Sequence, residues 1–292
     1  MAGLREIRRH IRGVKNIAQV TRAMQMVASS KMRRAQDQVL AHRGYVARAW
    51  RLLSHLAAVE TGVEDRQLHP LLAERPVKRI ELLLVTASRG FCGALNHTVI
   101  QRAAEFILEQ SAPVRLVTVG PKGRDWMLHH GQRIVAEFAG VGDEATLAEL
   151  GAPIAEVLMD DFERRDADEV YMAYAEFVNT LIQKPVLRKL LPLPHDPSLG
   201  MHTRRAFTFE PDRRALLADL LPRLVHFQVL QVLREAMASE HSARMVAMRE
   251  ANENANDMLN DLTLMANRMR QRAITQDVLE LSEGGLFVSS LE

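Results

Sequence analysis

The 292-residue chain predicts an α/β domain carried on the side of a long antiparallel coiled coil built from both chain ends. Three observations lead there. Both ends keep an apolar seven-residue period with almost no helix breakers. The middle changes to short apolar runs alternating with helical stretches. Aromatics make up only 5% of residues against 14 methionines, which favours adaptable helical packing over an all-β core. A hydrophobic share of 47% and a charged share of 25% exclude a disordered chain.

The first segment, residues 1–58, lacks proline. One row of its period is Leu4, Ile11, Ala18, Gln25, Met32 and Val39; the other is Ile7, Val14, Thr21, Ala28, Ala35 and His42. Most of these are apolar and many are small, which is the seam of a helix ~80 Å long packed on a second helix. Ile17, Val20, Met24 and Val27 form a further apolar row beside it, so burial on more than one side is expected.

Residues 77–210 form the α/β segment, with a largely parallel sheet. Strands are expected over 77–86, 114–119, 133–138, 169–178 and 186–193, and helices over 96–110, 121–130 and 146–165. The proline-bearing stretch 192–211 reads as a loop. The last segment, 212–292, opens with Pro211-Asp212 and continues to a stop expected at Gly284-Gly285, with Pro222 kinking or delaying its start. Its seam is Met245, Met248, Asn252, Ala255, Leu259, Leu262, Ala266, Met269 and Ala273. A helix of ~90–100 Å exceeds any compact domain of this size. The two ends therefore pair, and both fold back from the same middle, so they run antiparallel.

No catalytic constellation stands out. Gly90-Phe91-Cys92-Gly93 follows a strand and precedes a helix, but no full phosphate-loop spacing is present there or elsewhere, so tight-turn glycines are the better reading. Cys92 reads as a small residue in a buried turn, His129-His130 as adjacent residues pointing apart, and Asp160, Asp161 and Glu163 as a solvated helix end. Gln25 and Asn252 read as polar register markers within the seam. No cofactor and no metal is expected. A lone cysteine fits a reducing compartment. A charged N-terminus and the lack of ~20 uninterrupted apolar residues give no export signal and no membrane span.

Charge is uneven. Residues 1–51 hold twelve Arg or Lys against Glu6 and Asp37, whereas 134–169 hold eleven acids against two arginines, which points to docking surfaces. With so few aromatics to stack on bases, nucleic acid is not the expected partner, although a coiled-coil scaffold or nucleic-acid-associated protein stays open as an alternative.

Several stretches resemble the gamma subunit of F-type ATP synthases. Thr21–Arg33 (TRAMQMVASSKMR) is similar to the family's opening helix. The strand-loop Thr86–Asn96 (TASRGFCGALN) resembles the family's T-x-D-R-G-L-C-G-G-L-N. Asn267–Gln276 (NRMRQRAITQ) resembles its last helix, and the likeness spans the whole chain. The resemblance implies a coiled coil with a central Rossmann-like domain, acting as a non-catalytic rotor that turns inside the alpha/beta hexamer and couples ion flow to ATP synthesis or hydrolysis. Partners implied are the alpha and beta subunits, the epsilon subunit and the ring of membrane c subunits, at the cytoplasmic face of a bacterial plasma membrane and without insertion into it. Met24, Arg270, Gln271 and Thr275 fall on family positions near or touching the catalytic subunits. Ser88 stands where the family has aspartate, Phe91 where it has leucine, and the tail after Gln276 is atypical. Such departures leave room for a sodium-translocating relative.

Overall fold

The computed structural model describes residues 2–58, 69–193 and 213–289. The expected loop 192–211 falls almost wholly outside them. Elements follow the order α1 Ala2–Ala58, β1 Ile80–Val85, α2 Leu95–Glu109, β2 Val114–Val119, α3 Pro121–His129, β3 Ile134–Phe138, α4 Glu144–Glu163, β4 Glu169–Phe177, β5 Gln183–Leu191 and α5 Arg213–Ser289. They cluster into two compact units: Met1–Val27 with Met245–Glu292, and Ala28–Arg244.

The seven-residue period survives folding. Along α1, Ala18, Thr21, Ala28, Met32, Ala35 and Val39 are buried, and Leu4, Ile7, Ile11, Val14 and Gln25 are half-buried. His42, the last of the row, lies outside the described side chains. In the first unit the α1 segment ending at Val27 lies with the α5 segment starting at Met245, the antiparallel pairing of the two ends. Along α5, Met248 and Ala255 are buried, and Met245, Asn252, Leu259, Leu262 and Ala266 are half-buried. Met269 and Ala273 are exposed, which corrects their place in the seam. Chain length explains it: measured from the shared boundary at equal rise, α1 begins about level with residue 270 of α5, so α5 overhangs its partner from there on. The flanking row behaves differently too. Ile17, Val20 and Val27 are exposed, leaving an apolar face that nothing in the first unit covers.

Ala28–Arg244 holds one five-stranded sheet in the order β3-β2-β1-β4-β5. The first four strands are parallel and β5 closes the edge antiparallel to β4. β1 is buried at every position because both faces are covered. Ile80, Leu82 and Leu84 pack against α2 and α3, with Val99, Ala103, Phe106 and Met127. Leu83 and Val85 point the other way, into a core shared with Leu147, Ile154 and Leu158 of α4 and with Leu221, Val225, Val229 and Leu233 of α5. Those α5 residues explain why this helix is the one described helix long and apolar enough, by composition alone, to cross a membrane.

Two expectations about α5 need correction. The helix runs through Gly284-Gly285 to Ser289 instead of stopping. Glycine costs about 1 kcal/mol per helical site and does not forbid the helix, and extending an existing helix is far easier than starting one. Pro222 does not delay the start either: the helix already runs from Arg213, with the proline inside it. Leu217, Leu221 and Leu224 are buried around it, and that burial offsets the lost backbone hydrogen bond.

Candidate functional site

In a parallel sheet with this strand order the ligand crevice lies beyond the carboxyl ends of β1 and β4, where the winding reverses. Here that place is filled by side chains of α5. Glu240 accepts from the Ser88 backbone N–H (2.9 Å) and from Ser88 Oγ (3.1 Å). Arg244 pairs with Glu240 at 2.6 Å and donates to the carbonyls of Arg89 and Gly90, both at 3.2 Å. Ser239 Oγ donates to the Ala175 carbonyl on β4 (2.9 Å), and Ser242 Oγ to the Thr180 carbonyl just beyond it (2.7 Å). Glu240, Ser239 and Ser242 are buried. Beside them His241 is also buried, and that burial above all pulls its imidazole down to about 4; Glu240 opposes the shift, while Arg244 and Lys31 add to it. At neutral pH this ring is uncharged.

The loop itself is shaped for this docking. Gly140, after β3, lies so close to Ser88 that a Cβ there would sit 2.6 Å from the Ser88 Cα. Ala87 N–H is held by Asn96 Oδ1 at 2.9 Å. Phe91 turns through φ +60° and is 70% exposed at the tip. Cys92 is buried, with the Asn96 amide 3.3 Å from its sulfur. Burial pushes this thiol above its ordinary range, the opposite of what a nucleophile requires.

The four residues expected to touch partners lie in the first unit and diverge in setting. Met24 is half-buried on α1, next to the seam. Arg270, Gln271 and Thr275 are exposed on the overhanging part of α5. Gln271 and Thr275 are one turn apart, and the Thr275 hydroxyl donates to the Gln271 carbonyl at 2.9 Å. Both line a shallow open hollow with Arg268, Arg272, Gln276 and Leu279. This surface faces away from the seam; Arg270 and Met24 are not among the residues that line it.

Other candidates take bland roles. The His130 ring stacks on Trp126 at 3.7 Å, and no cluster of metal-ligating residues occurs among the described residues. Asp160 pairs with Arg164 on the surface, as a solvated helix end should. Asp161 does not: it binds Arg115 at 2.9 Å over the fully buried Glu81. Sequence reasoning missed both this buried group and the one around Glu240. A signal for the latter was available, because Ser239–Arg244 is polar at every position but Ala243, with Glu240 and Arg244 at a pairing distance of four. At Ser88, where the resembled family has aspartate, the acid beside the loop comes from Glu240.

Comparison with known proteins adds to this geometry. A family model described as ATP synthase matches residues 3–285. The ATP synthase gamma chain of Chloroflexus aurantiacus is 45% identical over 99% of this chain and all of that one. That of Dehalococcoides mccartyi is 44% identical over 97% of this chain and 98% of its own length. Among solved structures, a chain of the Euglena gracilis mitochondrial ATP synthase rotor matches with a TM-score of 0.63 at 19% identity, covering 94% of this chain and 99% of that chain. A chain in the OSCP/F1/c-ring assembly of the same synthase matches at 0.64 and 18%, covering 96% and 92%. At such identities the structural likeness speaks for the fold.

Proposed function

The chain belongs to the ATP synthase gamma-chain family, and from that premise we propose that it is a non-catalytic rotor, turning within an alpha/beta hexamer to couple ion flow to ATP synthesis or hydrolysis. The observation that carries the proposal is the surface of the first unit. Ile17, Val20, Met26 and Val27 on α1, and Leu264 and Met265 on α5, are apolar and exposed on helices already paired along another face, and Ile274 and Val278 are exposed on the overhang. Such a surface needs a partner. Apolar side chains without directional bonds let a shaft slip past successive partner surfaces, because no strong contact has to break.

On that surface a few polar groups provide grip. Arg270 can pair with a carboxylate, and Gln271 and the accepting lone pairs of Thr275 can hydrogen-bond. Met24 supplies a deformable contact at the flank of the seam. The overhang past residue 270 presents Gln271 and Thr275 on a single helix, open around most of its circumference. Small seam residues, Ala18, Thr21 and Ala255, let the two helices approach closely, and a close-packed interior resists compression under torque.

ATP chemistry is assigned to the partners. Support comes from the crevice itself, where an α/β domain of this winding would hold a nucleotide and where Ser239, Glu240, Ser242 and Arg244 already sit. The epsilon subunit and the ring of c subunits are the proposed further partners, at the cytoplasmic face of the bacterial plasma membrane.

Reconstitution with alpha and beta subunits tests the reading. A probe on the α/β domain should turn stepwise in one direction while ATP is hydrolysed. Hydrolysis beside a motionless probe, or no assembly, favours the scaffold reading, and salt-sensitive nucleic-acid binding would identify its class.

A further inference from the structure

If α5 is a shaft, its rotation reaches the α/β domain only through a joint that stops the helix from spinning in its seat. Most of the seat resists such spin by side-chain shape alone. Leu221, Val225, Val229 and Leu233 bury apolar surface against the sheet, and such contacts are strong but non-directional. Upstream, Arg234 pairs with Glu144 of α4 at 2.9 Å and Glu235 bonds Tyr174 of β4, but the bonds from this helix to the backbone at the strand ends are concentrated in one short stretch, Ser239–Arg244.

The placement of these bonds around the helix matters as much as their number. At about 100° per residue, Ser239, Glu240, Ser242 and Arg244 project over roughly 200° of the helix circumference. Ser239 and Ser242 hold carbonyls at the end of β4 and in the turn beyond it. Glu240 and Arg244 hold the loop leaving β1, through the Ser88 amide and hydroxyl and the Arg89 and Gly90 carbonyls. Rotation of α5 in either sense therefore stretches bonds on one side or the other. Gly140 backs Ser88 from behind, so the loop cannot retreat with the helix.

We propose that Ser88, Glu240 and Arg244, with Ser239 and Ser242, form a torque latch that locks α5 to the carboxyl ends of β1 and β4. The proposal rests on the rotor reading. In it, the crevice that binds ligands in domains of this winding has become the place where the shaft is keyed to the domain. Glu240 is the central positioning residue, because it accepts from both the Ser88 amide and hydroxyl and holds the Arg244 guanidinium against the same loop.

The test attaches a viscous load to a cysteine introduced at Leu108, which is 86% exposed on α2, and follows rotation in complexes with alpha and beta subunits. Two variants are compared with the natural residues: Glu240→Gln, which removes the ion pair at constant size, and Ser88→Asp, which sets a second carboxylate against Glu240 without touching α5. Hydrogen exchange at the Ser88 amide reports whether the latch has opened. Unpairing a buried charge should speed that exchange on the order of 100-fold. The expected result is an unloaded rotation rate within about twofold of natural, with torque under load reduced by about half or more in both variants. Natural torque alongside accelerated Ser88 exchange would overturn the latch. A natural complex that hydrolyses ATP without turning would instead sink the rotor reading, and the latch's role with it. Should Glu240→Gln fail to assemble, Ser88→Ala, which removes only the 3.1 Å hydroxyl bond, gives the same loaded-to-unloaded ratio; an unchanged ratio there, with faster exchange at residue 88, also counts against the latch.

Discussion

Replacing Glu81 with glutamine should remove a pH dependence of stability that the fold builds into β1. The Glu81 carboxyl is fully buried in the central strand. Its neighbour Arg115 is 3.5 Å away but lies closer, at 2.9 Å, to Asp161. Burial above all, then Asp161, raises the carboxyl from 4.5 to about 9, with Arg115 opposing. At neutral pH the folded chain therefore carries a neutral glutamic acid, whereas the unfolded chain carries a glutamate. Folding takes up a proton. The contribution is fully present below the unfolded value near 4.5 and is lost as pH rises towards 9. One proton corresponds to about 1.4 kcal/mol per pH unit, so between pH 6 and pH 8 the natural chain should lose about 2.7 kcal/mol that Glu81→Gln does not. With a urea dependence of about 2–3 kcal/mol/M, the midpoints should diverge by about 1 M over that interval. Urea unfolding of the full chain, followed through the fluorescence of Trp126 in the same domain, measures it. Parallel pH slopes for the two chains would refute the reasoning, and would mean that Arg115 holds Glu81 ionised in the folded state.

Other expectations follow from single contacts. Gly120 takes φ +92° before α3, and a Cβ there would stand 2.4 Å from the Thr86 carbonyl oxygen, so Gly120→Ala should cost more than about 2 kcal/mol in urea unfolding; a cost below 1 would show that the turn relaxes freely. Cys92→Ser should leave coupled turnover unchanged, since the thiol is buried and bonds only within its own loop and helix start, accepting from Asn96 and donating to the Arg89 carbonyl, and a large loss of turnover would revive a chemical role for it. Gln271→Leu and Arg270→Ala, both on the exposed overhang of α5, should lower coupled ATP turnover while circular dichroism holds steady; equal losses in both would assign these residues to folding.

Much of the architecture was already present in local patterns. The row from Leu4 to Val39 is a strict seven-residue alternation, and helix geometry alone puts those positions on one face, so their burial needed no knowledge of the partner. β2 was expected at 114–119 and occupies those residues, because a short branched run between turn signals has few other options. The α5 row held only as far as Ala266, because where a seam ends depends on the length of the opposing helix and not on the helix that carries it.

The contact residues were read from resemblance, and the structure adds their surroundings: Gln271 and Thr275 share an open hollow, while Met24 sits at the seam. The groups found only in three dimensions are all non-local. Asp161 meets Arg115 across 46 residues, and Glu240 meets Ser88 across 152. The sequence by itself determined the helices, the strands and the faces they bury, because each follows from a period shorter than one element. Which carboxyl loses its charge, and which polar run fills the crevice, was decided only by the tertiary structure, because burial and pairing belong to elements brought together by the whole chain.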